Sequence, residues 1–182
     1  MLDIILIAIG LSMDAFAVAI SLGLSQNNAK HKFRLGFETG SIFGIFQAIM
    51  PLLCIFLFGL VGKYIGFMKG YLSFVVLLLV GLKMIIESFK KDGCEIKKQM
   101  NLLYLIALGF ATSIDAFFVG MSLLKLDFNI YFAVIIIGLI TFLFSFIGVV
   151  LGRKIGCSFE KKAEIFGGFI LILLAFKMFL FE

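Results

Sequence analysis

Two stretches of the chain place a carboxylate where an apolar sequence least favours one. "GLSMDAFAVAISL" (residues 10–22) carries Asp14, and "ATSIDAFFVGMSL" (residues 111–123) carries Asp115. A charge at the centre of a bilayer costs about 2.5–3.5 kcal/mol on insertion scales, so such a residue usually faces a partner or a water-filled cavity. Two carboxylates brought together repel when both are ionised, and a divalent cation between them relieves that repulsion. Carboxylate, carbonyl and hydroxyl oxygens suit the ions Mg, Ca and Mn. The alternative is a pair of protonated aspartates that only pack. Ser12 and Ser113 stand two residues before each aspartate, and Ser21 and Ser122 seven after it, about two turns along the same face. They are either further oxygen ligands or hydrogen-bonding groups between helices. In "IFQAIMPLL", Pro51 cannot donate to the carbonyl of Gln47 four residues earlier. Gln47 therefore offers a freed main-chain oxygen and an amide oxygen at one depth, unless Pro51 is a kink and nothing more. Met13 and Met50 are soft neighbours that favour manganese over calcium if they ligate, although packing is the simpler account.

These residues need helices long enough to carry them to the midplane. The chain has 182 residues, is 63% hydrophobic and has a mean hydropathy of +1.20, whereas soluble domains are about 45–50% apolar. A helix needs about 20 apolar residues to cross the hydrocarbon. On that ruler the sequence predicts an all-α membrane protein with six transmembrane helices, near 2–24, 36–60, 67–89, 102–124, 129–151 and 164–181. The breaks between them are polar and too short for a domain, so residues 1–182 form a single integral membrane domain. The second and fifth breaks have room for short helices. The N-terminus has no basic region before its apolar run and reads as the first membrane helix, not a removable signal. The net charge of +5 shows no basic stripe with interleaved aromatics, so no nucleic-acid partner is expected; lipid is the surrounding partner. Cys54, Cys94 and Cys157 share no metal or redox spacing.

The two halves match. Positions 12–22 and 113–123 share seven of eleven residues; "GKYIG" (62–66) recurs as "GRKIG" (152–156), and "LLLVGLKM" (77–84) as "LILLAFKM" (171–178). The unit is three helices, about 1–90 and about 101–182. An odd number of spans turns the second copy upside down, giving two inverted repeats of three helices with equivalent residues meeting at the midplane. The first, third and fifth loops hold eleven Lys and Arg, against three in the other loops and ends. The positive-inside rule then puts those three loops in the cytoplasm and both termini outside. Glu38, Glu87 and Glu164 fall towards the cytoplasmic ends, as a possible entry path or gate. Lys83 and Lys177 occupy matched positions, where pairing or snorkelling accounts for each. His31 is a lone loop histidine.

At "LSMDAFAVAISLG", "GSIFGIFQAIMP", "GLKMIIESFK", "ATSIDAFFVGMSL" and "KKAEIFGGFILIL" the sequence resembles the MntP family of manganese efflux pumps, in order and spacing, through nearly the whole chain. The resemblance implies six spans, outward termini, a place in the bacterial plasma (inner) membrane and export of Mn2+ as the transported substrate, with no permanently bound cofactor. The family's motif aspartates fall on Asp14 and Asp115. Some members carry a glutamate where this chain has Gln47.

Other classes fit less well. An amino-acid exporter of related architecture also has a use for a carboxylate pair. An intramembrane aspartyl protease needs two facing aspartates but resembles its relatives in "GxGD", where this chain has "SMDA" and "SIDA". A thiol-redox carrier needs paired membrane cysteines. No phosphate-binding loop is present, so ATP-driven pumping is not expected, and export depends on a gradient, most simply of protons; the chain is expected to be a transporter and not an enzyme. The topology is checked by cysteine labelling: positions near Asn28 and Gly93 should react only from the cytoplasm and both termini only from outside. A cytoplasmic C-terminus overturns the inverted six-span arrangement.

Overall fold

The structure, a computed structural model, describes residues 2–24, 29–61, 69–90, 101–123 and 129–180. Among these residues all regular structure is helical: α1 (Leu2–Leu24), α2 (Ala29–Val61), α3 (Lys69–Lys90), α4 (Leu102–Thr112), α5 (Ile114–Leu123), α6 (Ile130–Ile155) and α7 (Cys157–Leu180). Because α4 and α5 are two halves of one broken helix, the described elements form six rods. Four stretches, Asp3–Leu24, Lys30–Leu57, Leu102–Gly120 and Ile130–Lys154, are long and apolar enough to cross a membrane. The helices α3 and α7, of 22 and 24 residues, reach about 33–36 Å at 1.5 Å per residue. The lipid-facing character is plain in the outward side chains: Phe56, Leu79, Ile135 and Leu173 are each more than half exposed. In water so continuous an apolar surface is a liability; in a bilayer it is the ordinary exterior.

Three expectations from the sequence change. α2 begins at Ala29, not at 36, and α7 at Cys157, not at 164. The polar segments before these spans, "AKHKFR" and "CSFEKKA", are helical because Ala, Lys, Arg and Glu are good helix formers. Hydropathy marks the apolar stretch alone, whereas the helix runs on into the polar sequence before it. The fifth break is therefore no separate short helix. It narrows to Gly156, whose φ of 74° and ψ of 171° lie in a region essentially reserved for glycine, with its N–H donating to the Gly152 carbonyl at 2.9 Å. The second break, 62–68, and the third loop, 91–100, lie outside the described residues. The third change is the interruption of the fourth span at Ser113.

Close glycine contacts fix the register of the rods. A Cβ placed on Gly44 of α2 would stand 2.7 Å from the Gly138 carbonyl oxygen of α6, and one on Gly138 would stand 2.9 Å from that of Gly44. The α3–α7 pair crosses in the same manner at Gly81 and Gly168, at 2.7 and 2.6 Å. With no hydrophobic drive between helices in lipid, such backbone approach supplies the packing. Partners run antiparallel between α2 and α6 (Gly36 with Phe146, Gly40 with Phe142), and parallel between α1 and α6 (Phe16 with Gly148, Ile20 with Gly152). α1 runs antiparallel to α7 (Gly10 with Leu171, Met13 with Gly167), and α2 runs parallel to the broken rod (Phe43 with Gly109, Pro51 with Gly120). These directions are those of a chain that reverses at every connection. Asp3 of α1 and Lys177 of α7 form an ion pair where those two helices end.

Replacing Gly168 by Leu forces the α3–α7 crossing apart. Overpacking of this kind costs about 1–3 kcal/mol, and Gly168→Leu should lower the thermal midpoint of the purified protein in detergent well below that of Gly168→Ala. Equal midpoints for wild type and Gly168→Leu refute this crossing.

Candidate functional site

The break in the fourth span follows from two adjacent hydroxyls. Thr112 Oγ1 donates to the Leu108 and Gly109 carbonyls at 3.0 and 3.3 Å, and Ser113 Oγ to those of Gly109 and Phe110 at 2.7 and 3.0 Å. Side chains that take the i−3 and i−4 carbonyls compete with the helical ladder. The Ser113 N–H accordingly moves to the Phe110 carbonyl at 3.2 Å, and Ser113 adopts φ −105°, ψ 4°. The chain restarts as α5, with the Ser113 carbonyl accepting from Phe117 N–H at 3.1 Å. The other copy of the motif, with Leu11 in place of a threonine, stays inside an unbroken α1; there Ser12 Oγ donates to the Ile9 carbonyl alone, at 2.9 Å.

Asp115 thus lies in the first turn of a half-helix buried in the bundle. The positive end of the helix dipole favours a carboxylate at this place. Its Oδ1 accepts from Ala116 N–H at 2.7 Å, while Oδ2 is buried without a hydrogen-bond partner. Asp14, partly buried at mid-helix in α1, is near enough to repel the Asp115 carboxylate, and Lys83 of α3 near enough to attract it. The structure therefore brings the two aspartates into one neighbourhood.

Gln47 joins them. It is fully buried, its Nε2 makes a long contact of 3.4 Å with the Leu11 carbonyl, and its Oε1 has no partner. Pro51 remains within an unbroken α2, buried where that helix crosses α5 at Gly120. Ser12 and Ser113 are fully buried; each spends its proton on a carbonyl, which leaves the oxygen lone pairs open to a cation. Met13 and Met50 are buried in the same apolar core. The acidic residues assigned to an entry path separate. Glu164 is buried at 2% exposure on α7, whereas Glu38 and Glu87 are partly or largely exposed and pair along their own helices with Arg34 (2.8 Å) and Lys83 (3.8 Å). The side chain of Ser122 lies outside the described set. Among the described residues no three His, Cys, Asp or Glu side chains cluster. Sequence reading missed the break at Ser113; its signal was the tandem "TS", read only as one serine beside an aspartate.

The rods and this polar centre define a multi-pass helical membrane protein with an intramembrane carboxylate pair. The family model described as "Putative manganese efflux pump" matches residues 30–179. The chain is similar to proteins named "Putative manganese efflux pump MntP" from Desulfitobacterium hafniense, at 47% identity over 98% of this chain and 94% of that protein, and from Aliarcobacter butzleri, at 43% over the whole of both. A relative of the same name from Methanothermobacter thermautotrophicus is 40% identical over 99% of this chain and 96% of its own length. The chain belongs to the MntP family. No solved structure matches it.

If the tandem hydroxyls cause the break, Thr112→Ala with Ser113→Ala should let the ladder close through position 113. One added hydrogen bond is worth about 0.5–1.5 kcal/mol net, so amide hydrogen exchange over residues 113–116 should slow several-fold to about tenfold. Unchanged exchange assigns the break to another cause.

Proposed function

We propose that this chain is a secondary transporter that exports Mn2+ from the bacterial cytoplasm across the plasma membrane, through a metal site shared by Asp14 and Asp115 with Gln47, Ser12 and Ser113 as neutral oxygen ligands. The observation that carries the proposal is the half-helix beginning at Ile114. It presents Asp115 with one carboxylate oxygen accepting from the Ala116 N–H and the other without a partner among the described residues, with Asp14 near enough to repel the group. Discontinuous helices at membrane depth are a recurrent way of building ion sites in transporters. Two carboxylates balance the charge of one divalent ion, and the oxygen ligands suit Mn2+. The names carried by the relatives support manganese as the cargo.

The halves act as inverted repeats in this reading. Exchanging α1 with α4–α5, α2 with α6 and α3 with α7 turns the packing of α1 on α6 into that of α2 on α5, and α1 on α7 into α3 on α5. The α2–α6 and α3–α7 pairs map onto themselves. Rocking of one half against the other then exposes the site alternately. The Lys and Arg bias supports an orientation with both termini outside. Between cargoes the carboxylates need other positive partners. Protons supply one, which couples export to the proton gradient; the nearby Lys83 ammonium supplies another. Glu164, about one turn from Asp14 across the α1–α7 contact (Met13 with Gly167), lies on the cytoplasmic approach.

Asparagine keeps the volume and one carbonyl oxygen of aspartate but not its charge. Asp14→Asn and Asp115→Asn should each abolish the ability of the chain to lower cellular manganese, and the double variant should add little, because residues of one site are non-additive. Neither change should reduce abundance, since each removes a charge from the membrane. Full export by Asp115→Asn at normal abundance sinks the shared site.

A further inference from the structure

The seam between α2 and α6 is open on its outer side. Gly44 and Gly138 bring the two backbones together, and small residues there leave space that larger side chains would fill. The result is an apolar groove of about 370 Å³, whose floor and walls include Ser41, Gly44, Ile45, Ala48, Gly138 and Phe142. The groove lies at the depth of lipid acyl chains. The apolar run of the second span begins near Gly36. Gly40 to Ala48 follow about 6–18 Å further along at 1.5 Å per residue, and one leaflet of hydrocarbon is about 15 Å deep.

Both helices lead from this groove to basic residues. On α2, Lys30, Arg34, Phe37, Ser41, Ile45 and Ala48 are spaced by 4, 3, 4, 4 and 3, which is one helix face. On α6, Ile135, Phe142, Phe146 and Arg153 are spaced by 7, 4 and 7, again one face. The two helices run antiparallel, with Gly36 against Phe146 and Gly40 against Phe142, so Arg153 comes level with Lys30. Lys30, Arg34, Arg153 and Lys154 are exposed, and Lys32 is partly so. Between this mouth and the groove the surface is aromatic. Phe33 meets Phe146 with ring centroids 6.1 Å apart, and Phe37 meets Phe142 edge-on at 5.7 Å.

The charge at the mouth suits an anion. The two helices bring five Lys and Arg to this end and one acid, Glu38, which pairs with Arg34 at 2.8 Å. Lys30, Lys32 and Arg34 stand at the start of α2, whose first turn has no acid, so they oppose the helix dipole. An anionic group here answers both the surplus charge and the dipole. A second copy of the chain seated groove to groove would instead set these cations against their like, which is unfavourable.

We propose that the α2–α6 seam binds one anionic phospholipid, its phosphate held by Lys30 and Arg153 and one acyl chain lying over the phenylalanines into the groove at Ser41 and Ala48. Basic residues between membrane helices are a recurrent way of holding anionic headgroups. The proposal does not depend on the two-aspartate reading.

The test uses the full chain purified in detergent, offered equal amounts of phosphatidylglycerol and phosphatidylcholine with the same acyl chains, and native mass spectrometry to count the lipid retained. Wild type should hold one phosphatidylglycerol in preference to phosphatidylcholine. Lys30→Gln with Arg153→Gln should cut that preference about tenfold or more, since each cation beside an anionic headgroup contributes about fivefold. Lys30→Arg with Arg153→Lys keeps the charges and should bind as wild type. Lys97→Gln with Lys98→Gln removes the same charge elsewhere and should keep the preference. Ser41→Leu fills the groove without changing charge and should lower retention of phosphatidylglycerol several-fold. Equal retention of the two lipids by wild type overturns the proposal, as does equal loss of preference in the Lys97 and Lys98 variant. Wild-type retention by Ser41→Leu overturns it too. A lipid-free dimer that Ser41→Leu dissociates assigns the seam to a second copy of the chain instead.

Discussion

The hydrocarbon core of a bilayer offers no water to a polar group, and the rest of this structure depends on that constraint. Each backbone N–H and C=O must be satisfied within the protein, so the spans are helices. Their mutual approach has to come from backbone contact at Gly44–Gly138 and Gly81–Gly168, because side chains gain nothing by exchanging lipid for one another. A helix can break at depth only where something replaces its lost bonds. The Thr112 and Ser113 hydroxyls do so, covering the Leu108, Gly109 and Phe110 carbonyls at the one interruption within the described spans.

The same constraint explains why nearly identical motifs have different local structures. "LSMDAF" and "TSIDAF" differ at the residue before the serine. One hydroxyl, that of Ser12, is absorbed by α1 without breaking it; two in succession redirect enough carbonyls to end α4 and begin α5. Asp14 is consequently held on a rigid rod, and Asp115 at the start of a half-helix whose dipole favours its charge. The two aspartates thereby acquire unlike environments.

Much of this was legible in the sequence. The apolar runs gave the rods because about 20 residues are needed to span hydrocarbon whatever the fold. The repeated "DA" motif pointed to Asp14 and Asp115 because a charge in an apolar span is costly, and the fold brings the two into one neighbourhood. The helix ends at Ala29 and Cys157 were not legible from hydropathy, since "AKHKFR" and "CSFEKKA" are polar and helical at once. α2 continues through Pro51, and the break falls at Ser113, where no proline signals it. Glu38, Glu87 and Glu164 looked alike by position. Only packing distinguishes the two that pair with Arg34 and Lys83 from the one buried on α7.

A site built to release its ion cannot be a strong one. The proposed centre has two carboxylates, enough to cancel a divalent charge, and its remaining donors are amide and hydroxyl oxygens that bind a cation weakly. No third acidic side chain clusters with the pair among the described residues, and a third would leave the loaded site negative and slow to empty. Passage through a membrane requires binding favourable enough to admit the ion and weak enough to let it go. Neutral oxygens meet both requirements: they replace the hydration shell without adding charge, and when the ion leaves they need only protons, water or Lys83 to quiet the carboxylates. The sparse charge of the proposed centre would suit repeated loading and unloading.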